Sequence, residues 1–269
     1  MIIIKTPQQI EGIRKAGAIV AEAIFEMAKY AQPGTKTKTL EDVALSVFEK
    51  YGAKSAFLGY KPDHYSPPYP ANICVSVNDE IVHGIPGDRV IMPGDLVSVD
   101  VGVIYENYYG DAAATYVVEG ASKRAKKLAW VTYQALHRGI KAARAGGRVS
   151  DISRAIQSFV ESNGFSVVRD LVGHGVGLNL HEEPPVPNFV DKDSDAPLRA
   201  GMTIAIEPMI CEGDWQVRIS NKDGWTVTTA DGKLAAHFEH SIAILENRTI
   251  ICLLYTSDAA DEGLGVDLG

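Results

Sequence analysis

"PGTKTKTLEDVALSVFEKYG" (residues 33–52) can be laid without a gap over "AGGRVSDISRAIQSFVESNG" (residues 145–164), at a constant offset of 112. In each copy a glycine turn leads into an amphipathic segment that stops at a further glycine, Gly52 or Gly164. Leu40, Val43, Val47 and Phe48 in one copy, and Ile152, Ile156, Phe159 and Val160 in the other, recur at helical spacing. Both copies are therefore expected as helices, with Thr39 and Ser150 as N-caps. Each is preceded by a longer helical pattern. The first opens at Thr6-Pro7, where Gln9 can complete a capping box, and the second runs from about residue 122 to residue 145.

The repeat continues past the helices. "VHGIP" (82–86) matches "LHEEP" (180–184), each with a histidine three residues before proline, and "PGDLVSVD" (93–100) matches "AGMTIAIE" (200–207). Each half reads as helix, helix, histidine-containing loop, glycine turn, and a strand that ends in a carboxylate; the shared order points to duplication. Further strand-like segments follow in both halves, with turn signals at residues 221–224 and at Asp231-Gly232. The expected fold is α+β. Two pseudo-symmetric αα-plus-hairpin halves, about 1–120 and 121–250, join their strands into one curved antiparallel sheet backed by helices, within one domain over 1–250. Residues 251–269 have neither strand alternation nor a helical stripe, and read as a non-native or disordered tail.

Composition narrows the function. The 269 residues are 46% hydrophobic and 22% charged, ordinary for a globular enzyme, and the net charge of −8 argues against a nucleic-acid partner. Lys123, Arg124, Lys126 and Lys127 form a basic cluster that reads as a solvated helix face. The apolar run in "MIIIKTPQQI" is too short for a secretion signal, and no stretch approaches a membrane span, so a cytoplasmic protein is expected. Cys74, Cys211 and Cys252 are too few and odd in number for a disulfide framework.

Carboxylates at strand positions carry the chemistry. Asp100 ends an apolar strand, and a two-residue hairpin turn centred on Tyr105-Glu106 would set Asp111 directly across from it. Two carboxylates so close repel unless a cation lies between them. Glu207 occupies the repeat position of Asp100, and Glu239 lies inside the apolar "AAHFEHSIAIL", sharing a face with His237 while His240 faces the other way. Oxygen-rich sites with one nitrogen suit divalent Mn, Fe, Co or Zn, and His174 among the glycines of "GHGVG" is the expected nitrogen ligand. His83 and His181, one per half, are expected to flank the site and donate to a substrate oxygen. H-E-x-x-H, G-x-S-x-G and Walker A patterns are absent, and "GHGVGLNL" fails the last glycine of G-x-G-x-x-G.

With Asp100, Asp111, His174, Glu207 and Glu239 in that order, and with "VHGIP", "GHGVG", "LHEEP", "IEP" and "HFEHS", residues 2–246 resemble the type I methionine aminopeptidases of the pita-bread fold. The resemblance implies a hydrolase that removes the N-terminal methionine of nascent chains when the second residue is small. It implies two divalent metal ions, bridged by Asp111 and Glu239, with Asp100 completing one shell and His174 and Glu207 the other. It further implies Glu207 as proton shuttle, His83 and His181 as substrate contacts, and a methionine pocket near Tyr69, Cys74, Leu180 and Trp225. Partners implied are peptide or nascent-chain N-termini, with transient ribosome association, for a monomer without nucleic-acid specificity or membrane attachment. Two departures stand out: residues 61–68, "KPDHYSPP", look inserted where the family has a short glycine-rich link, and Leu180 replaces a more usual aromatic. An X-Pro aminopeptidase or prolidase is the alternative of the same chemistry, and a non-catalytic binding protein on the same fold is the alternative of a different class.

Overall fold

A computed structural model describes residues 1–253. In the first half, helices α1 (Pro7–Ala28) and α2 (Thr37–Tyr51) precede strands β1 (Lys54–Ser55), β2 (Cys74–Val77), β3 (Glu80–Val82), β4 (Leu96–Tyr105) and β5 (Tyr108–Val117). The second half begins with α3 (Lys123–Ala142) and α4 (Val149–Ser162), followed by β6 (Ser166–Val167), β7 (Gly173–Gly175), β8 (Glu182–Val186) and β9 (Thr203–Ile206). It ends with β10 (Met209–Cys211), β11 (Val217–Ile219), β12 (Val227–Thr229), β13 (Ala235–His237), β14 (Glu239–Ile244) and β15 (Thr249–Ile251).

The capping box at Thr6 and Gln9 forms as expected, with the Gln9 amide donating to Thr6 Oγ1 and the Thr6 amide to Gln9 Oε1. The other two caps fall elsewhere. Helix α2 starts from Lys36 and α4 from Arg148, so Thr39 and Ser150 lie within the first helical turn. At α4 the Asp151 carboxylate reaches back to accept the Arg148 amide at 2.9 Å, which does the work assigned to Ser150. Gly52 and Gly164 both adopt the left-handed conformation that ends a helix.

The strands of both halves join in one main antiparallel sheet backed by the helices, as expected from sequence, and two small sheets stand beside it. Nine of them make the main antiparallel sheet, whose path is β1-β4-β5-β14-β9-β7-β8, with β2 also on β4 and β15 also on β14; β13-β10-β6 and β11-β12-β3 form two small sheets. Residues 235–245, read as one strand, break at the buried Phe238 into β13 and β14, which belong to different sheets. Near-dyad symmetry between the halves is plain in the order β4-β5-β14-β9, where Asp111 and Glu239 come from the two central strands, Asp100 from the outer strand β4, and Glu207 from the residue just after the outer strand β9.

Alternation along these strands decides which side chains face the helices. Val97, Val99, Val101 and Val103 of β4 and Ala112, Ala114 and Tyr116 of β5 join the large core with Val20 and Ile24 of α1 and Leu128 and Leu136 of α3. Ile204 and Ile206 of β9, and Ile242 and Ile244 of β14, belong to the same core. Asp100, Asp111, Glu207 and Glu239 have the opposite parity in their strands, so all four point away from the helices. The core also takes in Ile251, Cys252 and Leu253, and the Cys252 amide donates to Ser241 O at 2.8 Å. The start of the expected tail is thus packed on the fold, Ile251 through its pairing with Ile242, Cys252 through its bond to Ser241 and Leu253 through the core; residues 254–269 lie outside the described residues. All three cysteines are free and buried.

Candidate active site

The β4–β5 hairpin turns at Glu106 and Asn107, both with positive φ, one residue later than expected. Two left-handed central residues are what a type I′ turn demands, and Asn107 was the signal for it. Asp100 therefore pairs with Ala113, and Asp111 with Gly102. The two aspartates are diagonal neighbours on one face rather than direct partners. Glu239 pairs with Ala113 across the central seam, and Glu207 follows β9 beside β14.

His174 and His181 are brought together by the β7–β8 pairing. Gly175 stands opposite Glu182, so the residue before each places its ring over the same spot, with centroids 4.3 Å apart. This segment, expected as loop, is a short hairpin whose glycines permit the close approach: a Cβ at Gly175 would meet Glu183 O at 2.3 Å. His83 has φ 59, an uncommon conformation for a side-chain-bearing residue, and the next position must be glycine because a Cβ on Gly84 would meet Val75 O at 2.3 Å. His83 lies edge-on to Trp225, with centroids 6.0 Å apart.

All eleven residues singled out from sequence line one cavity of about 310 Å³. One end is charged: Asp100, Asp111, His174, Glu207 and Glu239, with His83 and His181 beside them. The other end is apolar, formed by Tyr69, Cys74, Leu180 and Trp225 together with Phe57 and Tyr60. Sequence reasoning passed over Phe57, Tyr60, Pro62 and Met209 in the lining, and His237, whose Nε2 is 3.8 Å from Glu207 Oε2. The position of His237, two residues before Glu239 on a shared face, was the available signal. His240 turns the other way, as expected, toward the ring of His137 in α3.

Electrostatics in the charged end are unresolved by the protein alone. Burial pushes the Asp100 carboxyl up to about 7, and burial reinforced by the neighbouring carboxylates raises Asp111, Glu207 and Glu239 well above the usual range. Burial, then the neighbouring His181, lowers His174 to about 3, so at neutral pH its ring is uncharged. Nδ1 lies 2.9 Å from Gly175 O and carries the proton; Nε2 therefore presents a lone pair 3.4 Å from Glu207 Oε1 and 3.8 Å from Asp111 Oδ2. Lone pairs facing lone pairs at this range call for a shared proton or a cation among them. Asp100 Oδ1, Asp111 Oδ1 and Glu239 Oε1 are also buried without a hydrogen-bond partner. Single ligand atoms of Asp111, His174 and Glu239 lie within 4.8 Å of one another. Oxygen donors with one imidazole, each with an unspent lone pair, fit borderline divalent cations.

The backbone beneath is braced. Thr115 Oγ1 donates to His237 O and accepts the His237 amide, Ser241 Oγ donates to Asp111 O, and Asn188 Nδ2 donates to Glu207 O. Such bracing holds like charges together at the expense of stability in the metal-free state.

Among known proteins, methionine aminopeptidase 1 of Bacillus subtilis is 47% identical over 246 residues, which span 91% of this chain and 96% of that protein. A crystal structure of methionine aminopeptidase from Thermotoga maritima superposes with a TM-score of 0.89 at 47% identity, covering 95% of this chain and all of that one. The prolidase of Pyrococcus horikoshii shares the pita-bread fold at a TM-score of 0.75, but is 22% identical, and the chain spans 65% of it. The profile of metallopeptidase family M24 matches residues 11–246, a span that carries every carboxylate and histidine of the cavity, and the chain belongs to that family.

Proposed function

We infer that the protein is a metallo-aminopeptidase that removes methionine from peptide N-termini. The observation that carries this reading is the cavity itself: a carboxylate cluster with unspent lone pairs at one end and a blunt apolar pocket at the other. Asp100, Asp111, His174, Glu207 and Glu239 would hold two divalent ions, with Asp111 and Glu239 contributed by the two central strands. Bound there, such ions supply an ionised water and Lewis-acid polarisation of a peptide carbonyl.

The remaining roles belong to the chain. Tyr69 turns its hydroxyl away to Gly84 O at 3.0 Å and packs its ring against Trp225, so the pocket shows an aromatic and thiol surface suited to a thioether side chain. The blunt pocket beside the charged end sets the distance from a free amino terminus to the first peptide bond, which explains an exopeptidase. His83, lowered to about 4 by burial and by His181, and His181, also lowered by burial, are neutral at pH 7 and can each donate one N–H to the carbonyl oxygen of that bond. Glu207, at the charged end of the cavity, can take a proton from the attacking water and pass it to the departing amine. Nascent chains in the cytoplasm are the natural substrates, met by a monomer that visits the ribosome transiently; co-sedimentation with ribosomes tests that part.

Hydrolysis of Met-Ala-Ser beside a Gly-Pro peptide, with Mn or Co added, tests the activity. Release of methionine with no Gly-Pro cleavage is expected; the reverse order would assign the X-Pro specificity, and metal uptake with neither would mark a binding protein. His83→Ala or His181→Ala should lower turnover by roughly 10²-fold while two equivalents of metal remain bound. Loss of metal would make that histidine a ligand instead.

A further inference from the structure

Lys5 and Glu182 form an ion pair whose side chains are 1% and 2% exposed. In every other lysine or arginine pair among the described residues the cation is at least 31% exposed. Burying two charges is a poor way to gain stability, because desolvation cancels much of their attraction; what it does fix is geometry. Here the fixed element is the turn that carries His181.

Glu182 Oε1 accepts the amides of Leu178 at 2.7 Å and Asn179 at 2.9 Å, closing the turn, while Oε2 accepts from Lys5 Nζ. Lys5 is itself anchored, its amide donating to Gly201 O at 2.8 Å, and the Gly201 amide donating to Ile244 O at 2.8 Å. The segment before α1 therefore straps the His181 turn to the end of β14 and to the turn that leads into β9. Glu182 also stands opposite Gly175 in the β7–β8 pair, so the anchored residue adjoins His181 and faces the neighbour of His174.

We propose that Lys5 is a positioning residue: through Glu182 it holds the His181 ring over the reacting end of the cavity, although Lys5 does not line the cavity. The proposal rests on the aminopeptidase reading for its kinetic consequence but not for its structural one. In the metal-loaded protein, Lys5→Met should lower kcat for Met-Ala-Ser about tenfold or more, with KM changed much less and full metal content kept. Lys5→Arg should recover part of kcat. The double variant Lys5→Met/Glu182→Gln removes both buried charges and keeps an acceptor for Leu178 and Asn179, so it should regain melting temperature without regaining kcat. Unchanged kcat in Lys5→Met, or a kcat that simply tracks melting temperature across the set, would overturn the proposal. A second readout is independent of turnover. In the zinc-loaded protein the His181 Cε1–Hε1 NMR signal should shift or broaden in Lys5→Met while that of exposed His64 stays; an unmoved His181 signal rejects the positioning role even if the protein proves to release no methionine.

Discussion

Asp100 shows how burial at one residue couples the site to pH. Its folded value of about 7 lies above the ordinary 3.8, so in metal-free protein the native state holds a proton that the unfolded chain has released between those values. Stability from this group is present below pH 4 and lost as pH rises through 7. The histidines oppose it. His174 and His237, both lowered to about 3 by burial, are neutral in the fold while the unfolded chain protonates below 6.5, and they favour the native state as pH rises from 3 to 6.5. A pH profile of the parent protein sums these effects, and Asp100→Asn separates them. In chelator, that variant should be the more stable of the two at pH 8, by on the order of a few kcal/mol, with the advantage fading toward pH 4. Urea unfolding at both pH values measures it. An advantage that does not change with pH would mean that the Asp100 carboxyl is not raised.

The packing of α1 on β5 leaves no room at Gly110, where a Cβ would meet the backbone of Ala16 and Gly17 at 2.6 Å. Gly110→Ala is expected to cost about 1 to 3 kcal/mol. Gly232, with φ 74 and open space around it, is the control: Gly232→Ala should cost only about 1 kcal/mol from backbone strain. Thermal melts compare the two, and equal losses would show that α1 can shift away. At this scale the sequence was legible wherever a local rule acts alone. The Thr6–Gln9 box, Gly52 and Gly164 are set by neighbours within four residues. Where two rules compete, legibility failed: a lysine and an arginine start α2 and α4, each extended and bridged to a distant residue, Val90 or Pro197, and Asp151 then reaches back where Ser150 was expected to cap. The hairpin turn slid by one residue because Asn107, which tolerates positive φ, outweighs Tyr105. The break at Phe238 has no local signal at all, since it arises from pairing with different partners on either side of a buried ring.

Over the whole molecule, the repeat made the cavity legible before any distance was known. The repeat places a carboxylate at the same position in each half, Asp100 inside β4 rather than at its end and Glu207 just after β9, and alternation turns Asp100, Asp111, Glu207 and Glu239 to the face opposite the helices. The apolar wall was less legible. Tyr69, Cys74, Leu180 and Trp225 look like ordinary core residues until tertiary pairing sets Tyr69 against Trp225, and Tyr60 packs on the same cluster with its ring against that of His181. A consequence of this architecture is that the two halves repel at their junction when no cation is present. Ligand that binds only the folded state adds stability in proportion to the logarithm of its concentration over its dissociation constant, about 4 kcal/mol at a thousandfold excess. Chelation should therefore lower the melting temperature and abolish methionine release together, and Mn or Co should restore both. Asp111→Asn removes a charge from a central strand at the seam of the two halves. It should melt higher than the parent protein in chelator, because repulsion falls, yet gain little on adding metal and recover no activity. Calorimetry with and without metal, beside the peptide assay, separates the outcomes. If chelator leaves both the parent melting temperature and its activity untouched, the carboxylates do not share a cation, and the convergence of the two halves has some other cause.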